Sequence, residues 1–482
     1  MKVYSFPHGG ILFDDPYAPS REGSVLSFLP WLVVIPFMQD NGNMSSPVVH
    51  SGEKVHEGML IGEARGEDSV NLHSSIPGNV LRTVSWDIED ISSMISCQGL
   101  LIKLGGAFDK LGKVAKEQQW LGLSARELQH IISDYGIVEM EDSGRPLSAV
   151  IAPYEDLGPP LSLVVRCVFD DAWLVADYVL CKERLDELAE GAFIAAKMVK
   201  AEKIILAVSA PERKLGEEIL AAMHRFLREN SIHGIAPLLV LVGSRYPQRH
   251  QRELEIVLRR FEKKEKEQFG PFIYMGPATI CAVYDAVKYR KPILDRYLAV
   301  GGSALARPAV LKVRIGSRLK QVFEECGGFI SNPKRIAIGS PFLGRAISSM
   351  DEPVMPYTSA VFAVADNDSI LNSNPRVLSM RSMYRHTDLN SEKMPYASAV
   401  QCICCGECRT VCPVGLDPEK LYKKIVENEI DEKIKSLAMK CHGCGCCALV
   451  CPSFLPLSQC IVTVIPVTER DSPLNIQDQE EN

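Results

Sequence analysis

Eight cysteines near the end of the chain form two runs of one pattern, Cys-x-x-Cys-x-x-Cys-x-x-x-Cys-Pro. The first run is Cys402, Cys405, Cys408, Cys412 and Pro413; the second is Cys441, Cys444, Cys447, Cys451 and Pro452. Thiolates at this spacing wrap a cubic iron–sulfur cluster, and in paired runs the fourth cysteine of each run serves the cluster of the other. The expected ligand sets are Cys402, Cys405, Cys408 with Cys451 for one [4Fe–4S] cube, and Cys441, Cys444, Cys447 with Cys412 for the second. Gly406 and Gly445 each follow a second ligand, where a missing side chain lets backbone N–H groups approach sulfide. The prolines stop the chain from continuing as helix. A pair of zinc sites or a disulfide framework are the alternatives; zinc would take four thiolates per site but needs neither the crossed cysteine nor the proline.

The chemistry such a pair supplies is electron relay. Two cubes with interlaced ligands lie close together, and all-cysteine ligation gives low potentials suited to ferredoxin-level partners. The run Asp417-Pro418-Glu419 caps a helix through Leu421 and Ile425 that forms a rigid spacer between the two runs. Cys404, Cys446 and Cys460 fall outside the ligand register. They read as packing or as S–H contacts near sulfide, and Cys97, Cys167, Cys181, Cys281 and Cys326 as small buried hydrophobes.

The remaining chain must position this module. At 482 residues it divides into three or four domains, with 46% hydrophobic and 23% charged residues, ordinary for globular protein. A net charge of -7 gives no footprint for nucleic acid. The N-terminus shows no export signal, and the apolar run Leu26 to Phe37, broken by Pro30 and Pro36, is too short to span a bilayer. The expectation is a soluble chain in a reducing cytosol, reaching any membrane through a partner.

Residues 1–105 read as a compact β unit. Ser46 to Ala64 alternates apolar and polar residues with glycine at turns, and a second half begins near Ser74. This is similar to the barrel-sandwich hybrid of lipoyl and biotinyl carriers, but no lysine lies between Lys54 and Lys103 to carry a prosthetic arm, which favours a structural or docking role. Residues 106–300 alternate strands (Leu163 to Phe169, Ile204 to Ser209, Leu238 to Val242, Phe272 to Met275) with helices (a capping box at Ser124-Ala125-Arg126-Glu127, then Glu183 to Lys200 and Glu212 to Arg228). That order predicts a doubly wound, mostly parallel sheet, which binds ligands beyond the carboxyl ends of its strands. Residues 301–365 read as a small α+β unit, 366–393 as a polar linker, 394–465 as the cluster module and 466–482 as a flexible acidic tail.

This order of parts resembles the RnfC subunit of the Rnf electron transport complex, over most of the chain. The residues that carry the resemblance are Phe6-Pro7-His8-Gly9-Gly10-Ile11, Tyr246-Pro247-Gln248, Thr279 to Val287, Lys291 to Arg296, Cys326-Gly327-Gly328-Phe329, Gly339 to Gly344 and both cysteine runs. The resemblance implies a multidomain α/β and α+β fold: a barrel-sandwich hybrid, a Rossmann-like domain similar to the NADH- and FMN-binding subunit of respiratory complex I, a β-grasp unit of the SLBB type and a two-cluster ferredoxin domain. It also implies a peripheral protein at the cytoplasmic face of the inner membrane. Its partners would be the membrane subunits of an Rnf-like complex and a soluble electron carrier, ferredoxin, flavodoxin or NADH, with electron flow coupled to ion translocation.

The chain departs from the family where FMN would bind. A glycine-rich loop is expected after the helix that starts at Ser124, and here Gly136 to Pro146 carries Glu139, Glu141 and Asp142 instead. Carboxylates beside a phosphate are repulsive. A second motif persists only in Leu174, Ala176 and Asp177, with Asp171 as an acidic stand-in; the asparagine expected before Thr279 is replaced by Gly276 or Pro277. Asp171 and Thr279 are the residues the resemblance assigns to FMN or NADH, and the altered motifs lead us to expect that this chemistry is weakened or gone. The chain itself is then an electron carrier; the alternatives are a non-catalytic scaffold or a soluble flavin-dependent reductase of the cobalamin type.

Overall fold

The computed structural model describes residues 2–38, 44–89, 94–109, 111, 113, 116–155, 160–232, 234–340, 344–347, 349–365, 401–453 and 455–465. The polar linker and acidic tail expected at 366–393 and 466–482 lie outside the described residues.

The barrel unit consists of two antiparallel sheets. One pairs Leu32–Pro36, Met94–Leu104, Gly78–Glu89 and Lys54–Val55; the other pairs Ser46–Pro47, Leu60–Glu63 and Leu72–His73. Alternation puts Val33, Ile35, Ile61, Ile76, Val80 and Ile102 in its buried interior. The unit docks on the chain near Gly316, whose carbonyl accepts from Val34 N–H at 2.9 Å; Arg314 pairs with the buried Glu57 at 2.9 Å.

The central domain holds a five-stranded, all-parallel sheet in the order Val3–Tyr4, Ala236–Val242, Ala201–Ser209, Leu161–Cys167, Phe272–Met275. Every residue of Leu161–Cys167 is buried, as a central strand covered by helices on both faces requires. Leu163 and Val165 face the core that holds the Leu185–Met198 helix, whereas Val164, Ile205 and Val240 face the Gln251–Glu265 helix. From Leu161–Cys167 the chain winds outward in one direction, then crosses back to place Phe272–Met275 on the opposite side. The crevice at the carboxyl ends of these two strands is the topological switch point.

The third sheet runs Arg345–Ala346, Arg335–Ile338, Ala360–Val364, Asp295–Gly301, Ala309–Arg314, Ser24–Leu26. The Leu319–Glu325 helix packs Leu319, Val322 and Phe323 against it. The residues preceding Leu32 therefore lace the molecule together. Val3–Tyr4 extends the parallel sheet and Ser24–Leu26 extends the β-grasp sheet, so the 1–105 unit expected from the sequence shares its first segment with two other sheets.

The C-terminal domain is made of short helices, Glu407–Thr410, Pro418–Val426, Glu432–Ala438, Cys446–Leu449 and Leu457–Thr463. Gly406 and Gly445 precede equivalent four-residue helices with φ of 80° and 83°, a conformation open to glycine at little cost. Asp417 caps the spacer helix by accepting from Lys420 N–H at 3.2 Å, and Asp431 caps Glu432–Ala438, which the sequence reading had not separated.

Candidate functional site

Two small cavities open among the described residues of the C-terminal domain. Cys412, Cys441, Cys444, Cys446 and Cys447, with His442 beside them, line the first; Cys402, Cys405, Cys408 and Cys451 line the second. Of the eight cysteines in the repeated spacing, each cavity thus draws three from one run and the fourth from the other; Cys446 adds a fifth thiol to the first. Short turns set this up: the αL glycine after each second cysteine reverses the chain, and the following helix returns the third cysteine to the same cavity.

The donor set suits a cluster. Burial pushes the Cys408 thiol up to about 11 and the Cys441 thiol up to about 12, and it also raises Cys412 and Cys402. Four crowded thiolates need a cationic centre, and metal supplies it by displacing the protons. Backbone N–H groups already point at sulfur: Leu416 donates to Cys412 Sγ at 3.2 Å, Gly443 to Cys441 Sγ at 3.4 Å, Cys404 to Cys402 Sγ at 3.4 Å and Leu455 to Cys451 Sγ at 3.5 Å. Such donors stabilise charge on ligand sulfur and tune potential.

The two cavities differ in exposure. Around the Cys402 cavity, Cys404 and Cys405 are exposed and Ile403 is 66% exposed. Lys423 Nζ lies 3.3 Å from Cys404 Sγ, and Cys404 also approaches Glu419 and Cys402. The Cys412 cavity is buried against the parallel-sheet domain. Tyr246 donates its hydroxyl to the Cys444 carbonyl at 2.8 Å, and Cys446 Sγ rests 4.0 Å from the Tyr246 carbonyl. Gly10 N–H donates to the Val411 carbonyl at 2.9 Å, and a Cβ on Gly9 would sit 2.6 Å from the Cys412 carbonyl carbon and oxygen. The Gly9-Gly10 pair is what allows this approach. Cys446 and Cys460 are buried, as are Cys97, Cys167, Cys181, Cys281 and Cys326.

At the switch-point crevice, carboxylates of the chain itself take the anion-binding positions. Glu141 Oε1 accepts from Ala278 and Thr279 N–H at 2.8 and 3.0 Å, in the first turn of the Pro277–Tyr289 helix, and Oε2 accepts from the Thr279 hydroxyl. Amides at the amino end of a helix are where phosphate elsewhere binds. Glu139 gathers a second set, accepting from Glu141 and Asp142 N–H at 3.1 Å and from Ser143 N–H at 2.6 Å and its hydroxyl at 2.9 Å. Asp142 pairs with Arg166 and, at 3.0 Å, with Arg249; these guanidinium groups hold its carboxyl well below the usual carboxylate range although burial opposes them.

The residues assigned to FMN or NADH are committed within this network. Thr279 Oγ1 also accepts from Met140 N–H at 2.9 Å and is fully buried. Asp171 accepts from Trp173 N–H at 2.9 Å, and burial pushes it up to about 6; the adjacent Asp170, accepting from Arg249 N–H at 2.7 Å, is pushed up to about 7 by burial. The amides that would meet a flavin phosphate are thus already paired, and the residues present do not fit FMN. Sequence reasoning saw the three acids but not that Glu139 and Glu141 bind these amides or that Asp142 pairs with two arginines.

Residues 6–103 match the RnfC barrel sandwich hybrid domain, 297–357 the SLBB domain and 394–452 the 4Fe-4S dicluster domain. The chain is 28% identical over 423 residues to a subunit of the proton-translocating ferredoxin:NAD(+) oxidoreductase complex of Clostridium ljungdahlii, covering 86% of this chain and 83% of the relative. It is 29% identical over 434 residues to a subunit of the ion-translocating oxidoreductase complex of Rhodobacter capsulatus, covering 89% and 77%. Among solved structures, an NAD+-reducing [NiFe]-hydrogenase in the air-oxidized state aligns with a TM-score of 0.48 at 13% identity, covering 71% of this chain and 63% of that one. No helix among the described residues is long and apolar enough to cross a membrane.

Proposed function

We propose that this chain, a relative of the RnfC-type subunits of ion-translocating oxidoreductase complexes, relays electrons through two [4Fe–4S] clusters within such a complex. Cys402, Cys405, Cys408 and Cys451 hold one cluster, and Cys441, Cys444, Cys447 and Cys412 the other. The clusters supply one-electron transfer at low potential. The observation that carries this reading is the pair of cysteine-lined cavities, each joining three cysteines of one run's spacing to the fourth of the opposite run.

The protein's own residues give the relay a direction in space. The Cys402 cavity, beside exposed Cys404 and Cys405, is the side open to a soluble electron carrier, ferredoxin, flavodoxin or NADH. The backbone around the Cys412 cavity is held against the parallel-sheet domain by Tyr246 and the Gly9-Gly10 segment, which makes it the inner cluster of the pair. In this reading the chain sits peripherally at the cytoplasmic face of the inner membrane, held by membrane subunits of the complex, and coupling to ion movement belongs to the assembly.

The parallel-sheet domain takes a scaffold role in the same proposal. Glu139 and Glu141 favour this, because they satisfy the amides a nucleotide phosphate would require. A free-standing flavin-dependent reductase has no such support.

The test is a count of iron and sulfide on anaerobically reconstituted protein, with electron paramagnetic resonance of the reduced state. About eight irons are expected. In Cys451→Ser the cluster held by Cys402, Cys405 and Cys408 should be altered and the other left intact. A total of about four irons in the wild type, or disturbance of the other cluster, overturns the assignment.

A further inference from the structure

Where the Gln251–Glu265 helix meets the second cysteine run, three side chains converge that the relay does not use. His250 Nδ1 lies 3.0 Å from Glu253 Oε2, and His442 Nε2 lies 2.9 Å from Glu253 Oε1. The potential ligand atoms of all three lie within 4.8 Å of one another. Glu253 and His442 are more than nine-tenths buried, with side-chain exposures of 1% and 7%. The imidazole rings stack with centroids 4.0 Å apart.

These contacts are short, yet none is a well-directed hydrogen bond. His250 Nδ1, both Glu253 oxygens and both His442 nitrogens are buried without a hydrogen-bond partner. A buried carboxylate left in that state costs several kcal/mol unless a charge compensates it. His250 is also an unusual helix N-cap, a position where Ser, Thr, Asp or Asn serve best, and its side chain makes no capping hydrogen bond. The backbone is arranged to keep the trio together: Arg252 donates to the Lys440 carbonyl at 2.7 Å, tying the helix to the chain just before Cys441.

We propose that His250, Glu253 and His442 bind a divalent cation of the zinc class beside the inner cluster's cavity, which His442 also lines, without taking any of the cluster ligands. Two imidazole nitrogens and one carboxylate oxygen form a familiar three-ligand zinc set that leaves a fourth position for water. Bonds of about 2.0–2.1 Å in tetrahedral geometry place such donors about 3.4 Å apart, inside the range these atoms span. The ion would join the parallel-sheet domain to the cluster domain beside the inner cluster, bridging a helix of one to the ligand loop of the other.

The experiment uses the full-length chain with clusters reconstituted, dialysed against buffered Zn2+, and measures iron and zinc in the same sample. About one zinc per chain is expected alongside the full iron complement. Glu253→Gln, close in shape to the native side chain, and His250→Ala should each lower zinc at least tenfold with iron unchanged. Co2+ in place of Zn2+ should give visible d–d absorption that disappears in Glu253→Gln. Wild-type zinc below about half an equivalent, or zinc retained undiminished in either variant, overturns the proposal. Counting both metals separates the two readings, since failure of the cluster assignment appears in iron and failure of this site in zinc alone.

Discussion

Glu141 lies across the amino end of the helix that carries Thr279, accepting its backbone N–H at 3.0 Å and its hydroxyl on the other oxygen. The carboxylate thereby occupies the ground a phosphate would need. Acid extracts of the purified protein should contain no stoichiometric flavin, and NADH should not bleach the iron–sulfur absorbance that dithionite bleaches. Glu141→Ala leaves two buried N–H groups and a hydroxyl unpaired and should cost about 2–3 kcal/mol in denaturant unfolding, without creating flavin binding, because Glu139 still holds the second set of amides.

Tyr246→Phe removes only the hydroxyl that donates to the Cys444 carbonyl. The expected loss is about 1 kcal/mol. The resonance signal and potential of the inner cluster should shift while those of the Cys402 cluster stay put, a split that general destabilisation would not produce.

Gly9→Ala places a methyl group against the Cys412 carbonyl, at a φ of +61° that other residues rarely adopt. Docking of the N-terminal segment on the cluster domain should fail. Limited proteolysis should then cut within the first residues, and air should bleach the inner cluster faster than in the wild type.

The acids of the crevice predict an inverted pH response. Asp170 and Asp171, raised by burial to about 7 and 6, bind protons in the folded chain that they have lost in the unfolded chain above about pH 4. Their contribution to stability therefore falls as pH rises from about 4 to 7 and is level above. Asp295, held at about 2 chiefly by Lys291 and Lys312 against the opposing effect of burial, acts the opposite way, contributing stability above about pH 4 that is lost toward pH 2. Asp170→Asn should flatten the decline between pH 4 and 7 in thermal melts.

What the sequence made legible was chemistry written in short spacings. Cysteine runs declare themselves because a cluster needs those atoms at those intervals, and the capping box at Ser124 is present because its two hydrogen bonds are local: Glu127 N–H to Ser124 Oγ at 3.3 Å and Ser124 N–H to Glu127 at 2.7 Å. The long Glu183 to Lys200 helix was legible in content but not in extent, since the chain breaks at Arg184 into Val175–Glu183 and Leu185–Met198. Pairings between distant segments left no local mark. Nothing in Val3–Tyr4 or Ser24–Leu26 announces partners at Leu241 or Val310, and nothing in His442 announces Glu253. The three acids of the Gly136 loop were visible, but a local reading supplied only their charge and not the amides that receive Glu139 and Glu141 or the arginines that receive Asp142.

The contact of Gly9 with the backbone of Cys412 brings the beginning of the chain against its last domain. A polypeptide emerging from the ribosome cannot make that contact until the first cysteine run has been synthesised. Val3–Tyr4 can pair once Leu241 and Val242 are made, but the Gly9-Gly10 stretch completes its packing only when the cysteine-rich domain is present. Closure of so wide a loop is therefore a late step of folding, and it falls on the same stretch of chain that supplies the inner cavity's crossed cysteine.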